Sequence, residues 1–305
     1  MRCGILVLVL AAVGVSAVPA QSAKGGRLDA VATFSILRDL VRHVGGDRVE
    51  VTALVGPGAD VHVYAPTPAD ARIVAAAGLI VVNGLGFEGW MDRLIQASAT
   101  RAAVVTASAG VTPRPAGTSG TSGAAAGGID PHADPHAWQS VRNAAIYVSN
   151  IRDALVRTDP PGRATYEANA AAYLQELDRL DQEVRRVVAT IPPARRKVIT
   201  THDAFGYFAA EYGIAFIAQQ GVSTEVEASA REVARIIRLI REQNIPALFL
   251  ENAGDPRLLG RVAAETGVHI GGKLFSDSLS AATGPAPTYI DMMRHNMGEV
   301  AAALK

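Results

Sequence analysis

Cysteine is almost absent from this chain of 305 residues, and the single one, Cys3, lies in an apolar leader. The leader starts with Arg2, runs apolar from Ile5 to Val18 and has small residues at Val18 and Ala20. That pattern predicts signal-peptidase cleavage after Ala20 and export to the periplasm. Cys3 lacks the small-residue context that precedes a lipid-attachment cysteine, so no lipid anchor is expected. Without Cys3 the mature chain has no thiol. This excludes disulfides and thiolate metal sites, and any metal must be held by nitrogen and oxygen. Long apolar runs are missing too: the leader's run is shorter than the roughly 20 residues that span a bilayer, and no later stretch comes closer. Charge of one sign is also lacking, since 29 Lys and Arg stand against 29 Asp and Glu with no basic run. Nucleic acid and anionic membrane are therefore not expected as partners.

What is present is an alternation, carried by about 285 residues after the leader, enough for two domains. Strand-like Leu28–Thr33, Val49–Leu54, Leu79–Asn83 and Ala103–Thr106 alternate with helix-like Ile36–Val44, Pro68–Ala77 and Trp90–Ala97. This βα rhythm predicts a parallel sheet. Thr67-Pro68 with Asp70 close behind is a helix start, a cap residue before a proline. Thr112–Gly128 is almost wholly Pro, Gly, Ser, Thr and Ala and reads as a mobile surface loop, within a flexible region of residues 112–135. A helix over Gln139–Val156 follows, and after Pro160-Pro161 a longer one from about Arg163 to Ala189. Its residues Tyr166, Ala170, Tyr173, Leu177, Leu180, Val184 and Val187 share one face. At 1.5 Å per residue it is about 40 Å long, enough to run the length of a lobe.

After Pro192-Pro193 the rhythm resumes with strand-like Lys197–Thr200, Ala215–Ala218 and Ala247–Glu251, and helix-like Ala204–Tyr212, Ala230–Gln243, Pro256–Glu265 and Tyr289–Leu304. The expected fold is α/β with two lobes, each a parallel β-sheet flanked by helices, joined by one long backbone helix. The expected divisions are a leader over residues 1–20, an N-terminal lobe over 21–158, the connecting helix over 159–191 and a C-terminal lobe over 192–305.

Four of the seven histidines, His62, His132, His136 and His202, fall just after strand-like runs or in the loops that follow. In open α/β sheets ligands gather there, outside the carboxyl ends of the strands. His43, His269 and His295 read as capping or surface residues. His62 sits in Gly58–Pro68, a loop pinned on its far side by Pro66 and Pro68. His132 and His136 belong to the doubled motif Asp130-Pro131-His132-Ala133-Asp134-Pro135-His136-Ala137-Trp138. His202 ends a strand and runs into Ala204-Phe205-Gly206-Tyr207-Phe208. Asp277 closes the last short apolar run, in Lys273–Leu279. Taken singly, each histidine reads first as a plain loop or cap residue. Together, three neutral imidazoles and one carboxylate form a four-coordinate set that suits Zn2+.

At these motifs the chain resembles the zinc- and manganese-binding solute-binding proteins of ABC transporters, the cluster A-I family, over essentially the whole mature length. Asp60–Pro68 is similar to the family's Asp-Pro-His-x-Tyr-Glu-Pro-Thr-Pro loop, with Val61 in place of its proline and Ala65 in place of its glutamate. Asp134–Trp138 matches its Asp-Pro-His-x-Trp motif, which selects His136 over His132. His202–Phe208 matches a ligand followed by x-Ala-Phe-x-Tyr-Phe, where histidine is typical of zinc proteins and glutamate of manganese proteins. The family's last ligand, an aspartate, maps onto Asp277. The resemblance therefore implies a Zn2+ site of His62, His136, His202 and Asp277 and only modest lobe movement on binding; His132, with Asp130 and Asp134 in the doubled motif, is a candidate auxiliary beside it. The family's histidine-rich loop has no counterpart in Thr112–Gly128.

The function so implied is capture of Zn2+ in the periplasm by a monomer that delivers it to an inner-membrane ABC permease. A periplasmic metallochaperone is a further candidate partner. Because imidazole binds metal when neutral, affinity is expected to fall as pH drops through a histidine pKa of about 6.5. One alternative is a manganese-binding protein of the same family. Another is an exported zinc hydrolase, but no His-Glu-x-x-His helix or nucleophile elbow is present, so the expectation is that the chain is no enzyme. Trp138, Tyr207 and Phe208 read as packing aromatics around the site. Glu225 and Glu227 read as solvated or presented to the permease. Glu251 lies either behind the metal histidines or at a helix start.

Overall fold

The computed structural model describes residues 26–117, 133–225, 229–252 and 256–305. The expectations for the leader, for residues 118–128 of the Pro/Gly/Ser-rich loop, and for Asp130, His132 and Glu227 lie outside these residues.

Two four-stranded parallel sheets form the frame. The first holds β1 (Leu28–Phe34), β2 (Val49–Val55), β3 (Leu79–Val82) and β4 (Ala103–Thr106), in the order β2-β1-β3-β4. The second holds β5 (Lys197–Thr200), β6 (Ala215–Ala218), β7 (Ala247–Glu251) and β8 (His269–Leu274), in the order β6-β5-β7-β8. Counted within its own half, each sheet has its second strand outside the first, then the third and fourth. The two halves thus repeat one topology without a residue-level repeat. Strand composition follows depth: in β1, a central strand, Ala30 to Phe34 are all buried, whereas β4 is an edge strand and largely exposed.

The expected strands and helices are all present, with informative shifts at their ends. Asn83 lies beyond β3 because its N–H donates to Glu88 Oε1 at 2.6 Å instead of extending the ladder. β8 has a weak sequence signal, since Gly271 and Gly272 lie in its middle. It forms by adding to the edge of β7, and the register slips between Leu248 and Leu250, where Gly272 takes a φ of 127° that only glycine adopts freely.

The helices are α1 (Ser35–Gly45), α2 (Pro68–Ala76), α3 (Met91–Ser98), α4 (Val141–Thr158), α5 (Arg163–Ala189), α6 (Gly206–Tyr212), α7 (Ala230–Gln243), α8 (Arg257–Thr266) and α9 (Tyr289–Leu304). Thr67 caps α2 as expected: its hydroxyl accepts the Asp70 N–H while the Asp70 carboxylate accepts the Thr67 N–H. Ser140, Ser229 and Thr288 cap α4, α7 and α9 in the same way, through side-chain oxygens. α6 starts at Gly206, two residues later than expected. The N–H of His202 is committed to Glu251 and that of Asp203 to the Gly221 carbonyl, which holds this stretch out of the helix.

α5 is a single helix of 27 residues whose buried face carries Tyr166, Ala170, Tyr173, Leu177, Leu180 and Val184, ending in Val188 where Val187 was expected. It packs on α4, α1 and α9. The last helix therefore returns to helices of the first half, as well as covering β8. One continuous apolar core runs from Phe34 through Trp138 to Tyr289, and a smaller one, with Ile236, Ile240, Leu259 and Val262, lies under α7 and α8. Among the described residues no helix is long and apolar enough to cross a membrane.

Candidate metal centre

All four residues expected as ligands come together at the carboxyl ends of the two sheets. His62 follows β2, His136 follows β4 after the intervening loop, His202 follows β5 and Asp277 follows β8. One ligand atom from each lies within 4.8 Å of every other. His62 Nε2 is 3.3 Å from Asp277 Oδ2, His202 Nε2 is 3.1 Å from the same oxygen, and His136 Nε2 is 3.4 Å from Asp277 Oδ1. The Nε2 atoms of His62 and His136 face each other at 3.3 Å.

These distances are those of ion pairs, yet the atoms are poorly aligned as hydrogen bonds. Both nitrogens of His202 and both oxygens of Asp277 are buried without a hydrogen-bond partner. Leaving such groups unsatisfied is costly, and a cation among them would satisfy three imidazole lone pairs and a carboxylate at once. Burial disfavours the charged form of His202, but the carboxylates of Glu251 and Asp277 outweigh it and hold its pKa well above the usual histidine value. Burial likewise works to raise the Asp277 pKa, and the imidazoles of His202 and His136 reverse this and hold it well below the usual carboxylate range. The four side chains are thus a set of mutually dependent charges.

Each buried imidazole is oriented from behind. His136 Nδ1 donates to Asp134 Oδ1 at 2.7 Å, which leaves its Nε2 lone pair facing the centre. Glu251 plays the matching part for His202: Oε1 accepts the His202 N–H at 2.9 Å, and Oε2 lies 2.6 Å from Nδ1. Of the two readings of Glu251, the place behind His202 is the one the structure shows. Asp134 was missed as an orienting group, although its signal is legible as a carboxylate two residues before a histidine. Its Oδ1 also accepts the His136 N–H at 2.9 Å, and Asp60 does the same for His62. Aspartate folds back on the backbone two residues on in this way, and so sets the direction of each loop histidine.

The aromatics expected as packing are buried and also join the halves. Phe34, Phe87 and Trp138 form a cluster with centroids 4.9 to 5.1 Å apart, and Phe87 meets His62 edge-on at 4.9 Å. Trp138 Nε1 donates to the Ser276 carbonyl beside Asp277, and the Tyr207 hydroxyl donates to the Asp134 carbonyl. The start of the loop after β4 is fastened rather than free: the Arg114 carbonyl accepts the Asp134 N–H at 2.7 Å, and the Gly117 N–H donates to Asp203. Burial and the neighbouring Asp134 push the Asp203 pKa up to about 6.

His43, His269 and His295 stay outside the cluster. His43 stacks on Tyr173 and donates to the Asp39 carbonyl, His295 donates to the Lys273 carbonyl, and His269 lies in β8 opposite Ala247 of β7.

Residues 30–303 match the family described as zinc-uptake complex component A, periplasmic, or ZnuA. The chain belongs to the ZnuA family. The chain is similar to the iron-binding protein YfeA of Yersinia pestis, 36% identical over 284 residues that make up 93% of this chain and 88% of that protein. The manganese-binding lipoprotein MntA of Halalkalibacterium halodurans is 34% identical over 301 residues, 98% of this chain and 96% of that protein. The periplasmic zinc-binding protein TroA from Treponema pallidum superimposes with a TM-score of 0.83 at 32% identity, over 92% of this chain and 99% of its own. The ZnuA-family member is accordingly a metal-binding substrate-binding component of an ABC transporter, not an enzyme. The expected absence of a lipid anchor draws no support from these relatives, since MntA is named a lipoprotein.

Proposed function

We propose that this protein captures Zn2+ outside the cytoplasmic membrane, with His62, His136, His202 and Asp277 as its ligands, and hands it to a membrane permease. The observation that carries the reading is the convergence of three imidazole Nε2 atoms on one buried carboxylate, with no hydrogen-bond partner for either Asp277 oxygen. Three nitrogens and a carboxylate with no thiolate are a borderline-soft set, which favours Zn2+ over Mn2+. On this reading residues 21–158 and 192–305 act as two jaws, residues 159–191 as their spine, and the protein works as a periplasmic monomer. The relatives named for iron and manganese mark the chemistry against which zinc has to be tested.

A manganese reading has one specific support. Both Asp277 oxygens face the imidazoles, Oδ2 towards His62 and His202 and Oδ1 towards His136. A bidentate carboxylate would raise the oxygen share of the shell, which Mn2+ prefers. Competition titration of metal-free protein decides between the two. Tighter binding of Zn2+ than of Mn2+ is expected, and the reverse order would overturn the zinc assignment.

A further inference from the structure

Of the four ligands, His136, His202 and Asp277 have fully buried side chains, and His62 alone reaches solvent, with 6% of its side chain exposed. A cleft of about 440 Å3 opens there, lined by Tyr64, Phe87 and Trp90 from the first half of the chain and by Val222 and Glu225 from the second. His62 lines it, and the other three ligands do not. A cation exchanging with solvent through this cleft meets His62 first.

One hydrogen bond joins the two halves beside this lining. Thr224 Oγ1 donates to Asp60 Oδ2 at 2.7 Å, while Asp60 Oδ1 accepts the His62 N–H at 2.9 Å. One carboxylate therefore ties Thr224, 164 residues further along the chain, to the backbone of His62. The Asp60 side of the bond is anchored: the Gly58 N–H donates to Ser278 Oγ at 3.1 Å and to the Leu279 carbonyl at 3.2 Å. Among the described residues, the Thr224 side is held less firmly. Its loop is held at its start by Gln220 and Gly221, bonded to Thr201 and Asp203, and Glu225 N–H reaches only Ser223. Among the described residues, the Thr224 hydroxyl makes the one hydrogen bond from Val222–Glu225 to the first half of the chain.

We propose that the Thr224–Asp60 hydrogen bond is the latch of the metal cleft and sets how fast a divalent cation enters and leaves. The inference rests on the metal-capture reading above. Opening the mouth requires Val222–Glu225 to swing away from an anchored partner, and the bond that resists this has a charged acceptor, a strong kind. Among the described residues Thr224 makes no hydrogen bond to His62, His136, His202 or Asp277 side chains, so its loss should leave the cage itself intact and act on the barrier.

The test is Thr224→Val, which keeps the shape and removes the donor. In stopped-flow exchange of Zn2+ against a fluorescent chelator, both uptake and release are expected to quicken by roughly tenfold, with a much smaller change in Kd. Thr224→Ser, which restores a hydroxyl, is expected to return the rates towards those of the wild type. A Thr224→Val protein that binds Zn2+ with wild-type rates overturns the latch. So does a variant that fails to fold while Thr224→Ser folds, because the bond would then be structural. Wild-type protein that binds no divalent cation at equilibrium would instead refute the metal-capture reading, so the two failures are separable.

Discussion

At the residue scale the site consists of three imidazoles that differ in what stands behind them. His136 is backed by Asp134 and His202 by Glu251, both buried, whereas His62 leans on the edge of Phe87. Carboxylates behind metal histidines fix ring orientation and raise basicity, and removing one typically costs 10- to 100-fold in affinity, roughly. Glu251→Gln is therefore expected to weaken Zn2+ binding by about that factor, measured by competition with a chelator of known affinity. An unchanged Kd would mean that Glu251 only braces the loop. His202→Glu is expected to lower Zn2+ affinity while raising relative tolerance of Mn2+, since it exchanges a nitrogen for oxygen. No change would remove His202 from the ligand set.

The charges of the metal-free cage also fix the sign of its pH dependence. His202 has a pKa raised by folding, so its contribution to stability is full below its unfolded value of about 6.5 and is lost as pH rises through the folded value. Asp277 has a depressed pKa, so its contribution is present above about 3.9 and is lost as pH falls through the folded value. Metal-free protein is thus expected to be most stable between those two unfolded values and to weaken towards alkaline pH. Metal shows the opposite trend, because it must displace the His202 proton and binds better as pH rises. Melting curves at several pH values, with chelator and with Zn2+, check both slopes. Metal-free stability that climbs steadily from neutral to alkaline pH would contradict the charged pairing.

Elements carry these residues to the site, and their boundaries show how far sequence reasoning reaches. The Thr67–Asp70 box fixes the start of α2 just beyond the His62 loop, and Tyr64 adds its hydroxyl to the same carboxylate at 3.0 Å. Burial tends to raise the Asp70 pKa, but the hydrogen bonds from Thr67 and Tyr64 hold it below the usual value. Thr67→Ala is expected to cost about 1 kcal/mol, a drop in Tm of about 2–4 °C, measured by thermal melting. This box, the βα alternation and the long helix were legible because each is written in neighbouring residues. His62, His136 and His202 were legible through their local motifs. Asp277 was placed by family position, because its partners lie in distant loops. Glu251 stood between two roles for the same reason: it meets His202 across 49 positions of sequence. The bulged strand β8 was faint because two glycines interrupt its pattern, and only the free edge of β7 gives it structure.

At the scale of the whole molecule, the two halves share a topology, and the larger of the two apolar cores spans both. The main core crosses from Phe34 to Tyr289, and the Tyr289 hydroxyl donates to the Trp138 carbonyl while Trp138 donates to Ser276. Such a seam favours cooperative unfolding over the independent melting of two lobes. Calorimetry is expected to show one main transition, moved upward by Zn2+ according to its concentration over Kd. Two well-separated transitions, only one of them shifted by metal, would show that the lobes melt independently. The same seam, together with α5 and α9 packed across the halves, limits how far the lobes can part. Access to the buried ligands is then left to the loops at the cleft. Metal capture by these four side chains is the feature most directly open to measurement. Anomalous diffraction at the zinc absorption edge, from crystals grown with Zn2+, should place one strong peak bonded to Nε2 of His62, His136 and His202 and to the Asp277 carboxylate. A peak elsewhere, with these four side chains unbound, would contradict it.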